Sequence, residues 1–213
     1  MSKKGFTLAE VLITIGIIGV IAGMTLPALI NNYQKHVLVV QVKDFYAIFN
    51  NALMQYMHDS GYDTLKDSPI GDLNLSQTAK EEYLTENFLK TYIKGQKTNV
   101  TLKYDLLSGK NGGNITYHYI TNTGVLIGFS RELWNSLQTV YFDINGTKKP
   151  NRFGLDAFRF YIYEKPISLS AYKRLMDWDC SNCGDSCRPD INPNATGYGC
   201  WIRILQENEI NYY

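Results

Sequence analysis

The sequence has no excess of charge of either sign. Its 21 basic and 20 acidic side chains leave a net charge of +1. That balance removes the electrostatic argument for nucleic acid, or for an acidic surface, as a partner. Histidine is scarce: His36, His58 and His118 are far apart and belong to no metal or nucleophile motif. There is no phosphate-binding glycine loop, and an enzyme is not expected. Internal repeats and low-complexity segments are lacking as well. Cysteine is confined to the stretch from Cys180 to Cys200. The longest absence is of charge itself, from Val11 to Ile30. What is present is a chain of 213 residues with 45% hydrophobic side chains. It is too apolar to be disordered and long enough for one globular domain plus one long extra element.

The uncharged run, VLITIGIIGVIAGMTLPALI, covers roughly 30 Å as a helix, the hydrocarbon thickness of a bilayer. Lys3 and Lys4 precede it and the next basic residue is Lys35. The positive-inside rule then keeps the N-terminus cytoplasmic and sends the rest across. Glu10 stands at the edge of the run. A carboxylate there costs on the order of 2 kcal/mol or more to insert unless it finds a partner or stays at the headgroups. A conventional secretory signal, cut near Ala22-Gly23, is the competing reading; it accounts for neither Glu10 nor Gly5-Phe6.

The stretch Lys4-Gly5-Phe6-Thr7-Leu8-Ala9-Glu10-Val11-Leu12 resembles the class III signal of type IV prepilins and type II secretion pseudopilins. That signal is a short basic leader ending in Gly, then Phe, Thr, Leu, a hydrophobic residue and Glu, then an apolar helix. The resemblance implies that a prepilin peptidase cuts between Gly5 and Phe6 and that the new amine on Phe6 is methylated. It also implies that Glu10 pairs with the Phe6 amine of a neighbouring subunit. Opposite charges that are each costly in a low-dielectric core are tolerable together, and such a pair fixes axial register.

Gly16, Gly19 and Gly23 give the span small faces for close helix approach. Pro27 removes one helical hydrogen bond, and Gly23 to Pro27 fits the bent helix seen at this point in pilins. After Asn31-Asn32, Leu38, Val42, Phe45, Phe49, Ala52 and Tyr56 recur at helical spacing, with Gly61 as a stop. From Phe6 to His58 the helix is roughly 80 Å long if continuous. Its first half is expected to pack on other subunits and its second half on its own head.

The fold class expected is α+β, the type IV pilin fold: a long N-terminal helix and a C-terminal antiparallel sheet. Residues 1–5 are the leader, 6–30 the transmembrane and assembly helix, 31–58 its amphipathic continuation and 59–213 the head. Within the head a connecting loop spans 59–113 and holds a helix over 76–94, with Ser76 or Thr78 as N-cap. Strands are expected over 115–121, 125–130, 139–144 and 157–164, making a sheet over 114–164. A Cys-rich loop and a last strand, over 198–206, fill 165–213.

Two head features bear on ligands. Asp143, Asn145 and Asp156, in a loop with Gly146 and Gly154, have the oxygen chemistry of a calcium loop but depart from the EF-hand. The alternative is a turn held by Asx hydrogen bonds. No other cofactor is implied. Cys180, Cys183, Cys187 and Cys200 read as disulfides pinning a loop to the last strand, with a zinc site as the other reading.

The resemblance thus implies a structural subunit of a type IV pilus or type II secretion filament. Its partners are other pilin-like subunits, the prepilin peptidase, an inner-membrane assembly platform and the bilayer. It would be a single-pass inner-membrane protein before assembly, with its head periplasmic or extracellular, and part of a surface filament afterwards. A minor tip subunit or membrane-anchored adhesion module is the alternative.

Overall fold

The computed structural model describes residue 5 and residues 7–72, 75–131, 136–164 and 186–212. The chain divides into two compact units, Met1–Val37 and Leu38–Tyr213. Helix α1, Leu8–Ser60, contributes to both.

In the first unit α1 is a bare apolar helix. Leu12, Ile13, Ile17 and Met24 are 62%, 63%, 56% and 76% exposed, whereas a soluble core helix would bury such residues. Among the described residues, α1 has the length and composition of a membrane span, and none of that window is buried. The helix continues through Pro27. Proline has no N–H to give the carbonyl four residues back, which belongs to Gly23. A glycine there has no side chain to add to the crowding.

In the second unit the same helix turns amphipathic. Val39, Val42, Phe45, Phe49, Ala52, Leu53 and Tyr56 are buried, at the spacing of one helical face. They meet an antiparallel sheet of β1 (Gly95–Asp105), β2 (Asn111–Thr121), β3 (Leu126–Ser130), β4 (Gln138–Asp143) and β5 (Ala157–Ile162), in that spatial order. Period-two alternation sends Phe142, Phe158 and Phe160 to the helix side. Phe45 stacks on Phe142 with centroids 4.4 Å apart, and Phe49 meets Phe160 edge-on at 4.9 Å. The opposite face carries a second cluster of Tyr104, Tyr117, Leu126, Tyr141, Phe153 and Ala157. A long helix packed with a C-terminal antiparallel sheet is the α+β, pilin-like architecture the resemblance implied.

The connecting helix is present from Gln77 to Tyr92. It comprises α2 (Gln77–Tyr83), a wider π-helical stretch (Leu84–Leu89) and α3 (Lys90–Tyr92). Ser76 caps it by accepting from the Ala79 N–H at 3.3 Å. Two expectations are corrected. The loop placed over 59–113 contains the edge strand β1, whose mostly polar, half-exposed side chains hid its alternation. The last strand over 198–206 is instead a helix, α4 (Cys200–Glu207). Its β-branched residues suggested a strand. However, Cys200, Trp201 and Ile204 bury one helical face, and Asn208 closes the helix in the left-handed conformation at φ 60°.

Phe49 is 1% exposed at the meeting point of α1, the π-helical stretch and β5. Phe49→Ala is expected to lower the head's unfolding free energy by about 3–5 kcal/mol in urea titrations of detergent-solubilised protein. A loss under about 1 kcal/mol would mean that this helix face does not organise the head.

Candidate functional site

The acid singled out in the sequence lies in the first turn of α1. Leu8 is the first helical residue, so Thr7 and Glu10 stand at the two positions of a capping box. The Thr7 N–H and the Thr7 hydroxyl both donate to Glu10 Oε2, each at 2.8 Å. In return the Glu10 N–H donates to Thr7 Oγ1 at 3.3 Å. The hydroxyl of Thr14 donates to the Glu10 carbonyl one turn on. Glu10 Oε1 receives no bond from the described residues. Gly5 and Glu10 are exposed. Lys3, Lys4 and Phe6 lie outside the described residues. Gly16, Gly19 and Gly23 have open space where a Cβ would stand, so these positions present bare backbone on the exposed span.

In the head, Asp143, Asn145 and Asp156 do come together. Asp143 ends β4 and Asp156 immediately precedes β5. Both carboxylates are buried, at 0% and 1% exposure, and protein donors occupy all four of their oxygens. Asp143 accepts from the Tyr104 hydroxyl at 2.5 Å and the Asn145 N–H at 3.1 Å. Asp156 accepts from the Asn151 N–H at 2.9 Å, the Arg152 N–H at 2.8 Å and the Asn145 side-chain amide at 3.1 Å. Among the described residues no three His, Cys, Asp or Glu side chains are grouped to hold a metal. The donors form a clasp around the two carboxylates, while Asn145 Oδ1 and Asn151 Oδ1 in the same loop are buried without a hydrogen-bond partner, so the loop also holds oxygens of the kind a hard cation takes. Gly146, at φ +74°, makes the bend. Burial, reinforced by the nearby Asp156 charge, pushes the Asp143 carboxyl up to about 8. Burial raises Asp156 as well.

Cys187 and Cys200 are joined as a disulfide. Two thiols that the zinc reading needed are thus oxidised. The bridge ties its loop to the start of α4, not to a strand. Cys180 and Cys183 lie outside the described residues. Gly197 in the same loop sits at φ +82°, where an added Cβ would meet the Phe153 carbonyl at 2.3 Å. His36 and His58 are exposed on α1. His118 stacks on Phe129, accepts from its N–H at 3.3 Å and has Nε2 3.5 Å from the Glu81 carboxylate.

Sequence reading located Glu10 but missed the part played by Thr7. The signal was available, since Thr7-Leu8-Ala9-Glu10 is a capping box ahead of an apolar run. Tyr104, which anchors Asp143, carried no comparable signal because it comes from the edge strand that was not anticipated.

Residues 28–177 match the model of a family described as "Family of unknown function (DUF6613)". Residues 1–26 match the prokaryotic N-terminal methylation motif, the prepilin-type cleavage and methylation signal. That motif marks a precursor of the type IV pilin or pseudopilin type and implies processing by a prepilin peptidase and assembly with other pilin subunits. No curated protein and no solved structure matches the chain.

A buried acid with a raised pKa holds its proton more tightly folded than unfolded. The contribution of Asp143 to head stability is therefore expected to be fully present below about pH 4 and to be lost as pH rises toward about 8. Asp143→Asn should flatten that slope in urea titrations across the range. A slope that survives the substitution would place the titrating group elsewhere.

Proposed function

The chain belongs to the family of unknown function DUF6613, and from its separate prepilin-type signal we propose that it is a structural subunit of a type IV pilus or type II secretion filament. The prepilin peptidase would cut between Gly5 and Phe6 on the cytoplasmic side and methylate the new amine. The subunit would wait in the inner membrane with its head outside, then be drawn into the filament by the assembly platform.

The observation that carries this reading is an apolar helix with no cover among the described residues and an acid in its first turn. Lipid covers such a helix before assembly. Outside the membrane only other helices of the same kind can do so, because an aqueous filament core would expose Leu12, Ile13 and Ile17 to water. A simple anchor has no use for Glu10. In a filament the carboxylate meets the Phe6 amine of an adjacent copy, the two charges neutralise each other, and the axial offset between copies is set. The stapled loop at Cys187–Cys200 supports a more specialised, decorating role for the head as the second reading.

Mass spectrometry of protein from membranes and sheared filaments tests the proposal. The expected mature chain starts at Phe6 and carries one added methyl group. Glu10→Ala is expected to be processed normally but to enter filaments about a hundredfold less, equivalent to the roughly 3 kcal/mol lost on removing one partner of a buried pair. A chain that keeps Gly5, or an alanine variant that assembles like wild type, would contradict it.

A further inference from the structure

We infer that Thr7 is a positioning residue for assembly: it fixes one oxygen of Glu10 within the subunit and leaves the other as the acceptor for the incoming amine. The inference rests on the filament reading above and goes beyond it by naming the group that orients the acid.

The division between the two oxygens is the basis. Oε2 takes both Thr7 donors, the N–H and the hydroxyl, each at 2.8 Å. Oε1 has no donor among the described residues. A glutamate at a helix surface normally samples several rotamers, and fixing it on binding costs entropy. Here two hydrogen bonds to one oxygen fix the side chain in advance. An acceptor oriented before the encounter binds more tightly than one ordered during it. The hydroxyl does two jobs at once, since Thr7 Oγ1 also accepts the Glu10 N–H at 3.3 Å. The cap and the carboxylate are therefore one closed ring, which persists when a neighbour's ammonium arrives at Oε1. The ring matters in the membrane as well. A carboxylate with two donors of its own is less costly to hold beside lipid than a bare one.

Capping and positioning separate by substitution at Thr7. Thr7→Ser keeps the hydroxyl and both functions. Thr7→Gly retains most of the helix cap, because glycine is nearly as good as a polar residue there, but it removes the hydroxyl that holds Oε2. The full chain carrying each variant would be expressed as the only copy in filament-forming cells. Mass spectrometry would read the cleaved, methylated subunit in membranes, and shearing would read its filament content. The expectation is that all variants are processed, that Thr7→Ser assembles within about twofold of wild type, and that Thr7→Gly falls about tenfold, the loss of one hydrogen bond to a charged group. Wild-type assembly of Thr7→Gly, or equal failure of Thr7→Ser, would overturn the inference. Glu10→Gln run in parallel distinguishes the two levels. If Glu10→Gln also assembles normally, the ion-pair reading itself fails; if it fails to assemble while Thr7→Gly succeeds, only the role of Thr7 is lost.

Discussion

A carboxylate carried at the edge of an apolar helix is the constraint on which the rest of the structure depends. Glu10 stands in the first turn of a helix whose next charged side chain is Lys35. Neither water nor lipid suits both the charge and the exposed aliphatic surface behind it. Water penalises the bare aliphatic surface, while lipid penalises the charge. In the proposed filament, like helices that each bring an amine to a neighbour's acid would resolve the two together. The capping ring with Thr7 is the subunit's own partial answer, in force before any neighbour arrives.

The head solves a separate problem. Residues beyond Leu38 continue α1 without interruption, but the side chains change from aliphatic all round to a single buried face ending in aromatics. Phe45, Phe49 and Tyr56 pack on the sheet and the connecting helix, so that one element serves membrane and domain in turn. The far side of the sheet is held differently. There the buried Asp143 and Asp156 gather backbone N–H groups from the turn between β4 and β5, which fixes a loop whose Ile144 and Phe153 are buried as well. Folding the loop this way costs the desolvation of two acids, and the raised pKa of Asp143 records that cost.

Much of this was legible in the sequence, and the failures are instructive. The N-terminal helix was readable because a long uncharged run, a fixed-distance acid and a glycine-phenylalanine pair each have a physical meaning. The α1 face was readable from period 3.6, and β2 to β5 from alternating, β-branched and aromatic runs between turn residues. Strand β1 was not, because Lys97, Thr101 and Lys103 dilute the pattern of a strand with one exposed edge. Helix α4 was misread because Trp201, Ile202 and Ile204 are strand formers locally. Their burial is decided by the disulfide at Cys200 and by the Trp201 indole N–H, which donates to the Arg159 carbonyl at 2.9 Å, and neither contact is local in sequence. Asp143, Asn145 and Asp156 come together as their spacing suggested, and the part played by Tyr104, Asn151 and Arg152 as donors was not legible because those residues come from the unanticipated strand and from backbone N–H groups.

The most direct test of the central claim is an electron cryomicroscopy structure of filaments containing this chain. The account predicts that one carboxylate oxygen of Glu10 lies within about 4 Å of the N-terminal nitrogen at Phe6 of an adjacent copy, the span of an ion pair. A filament in which Glu10 faces no amine, or in which the helix ends carry no cleaved terminus near it, would contradict the account.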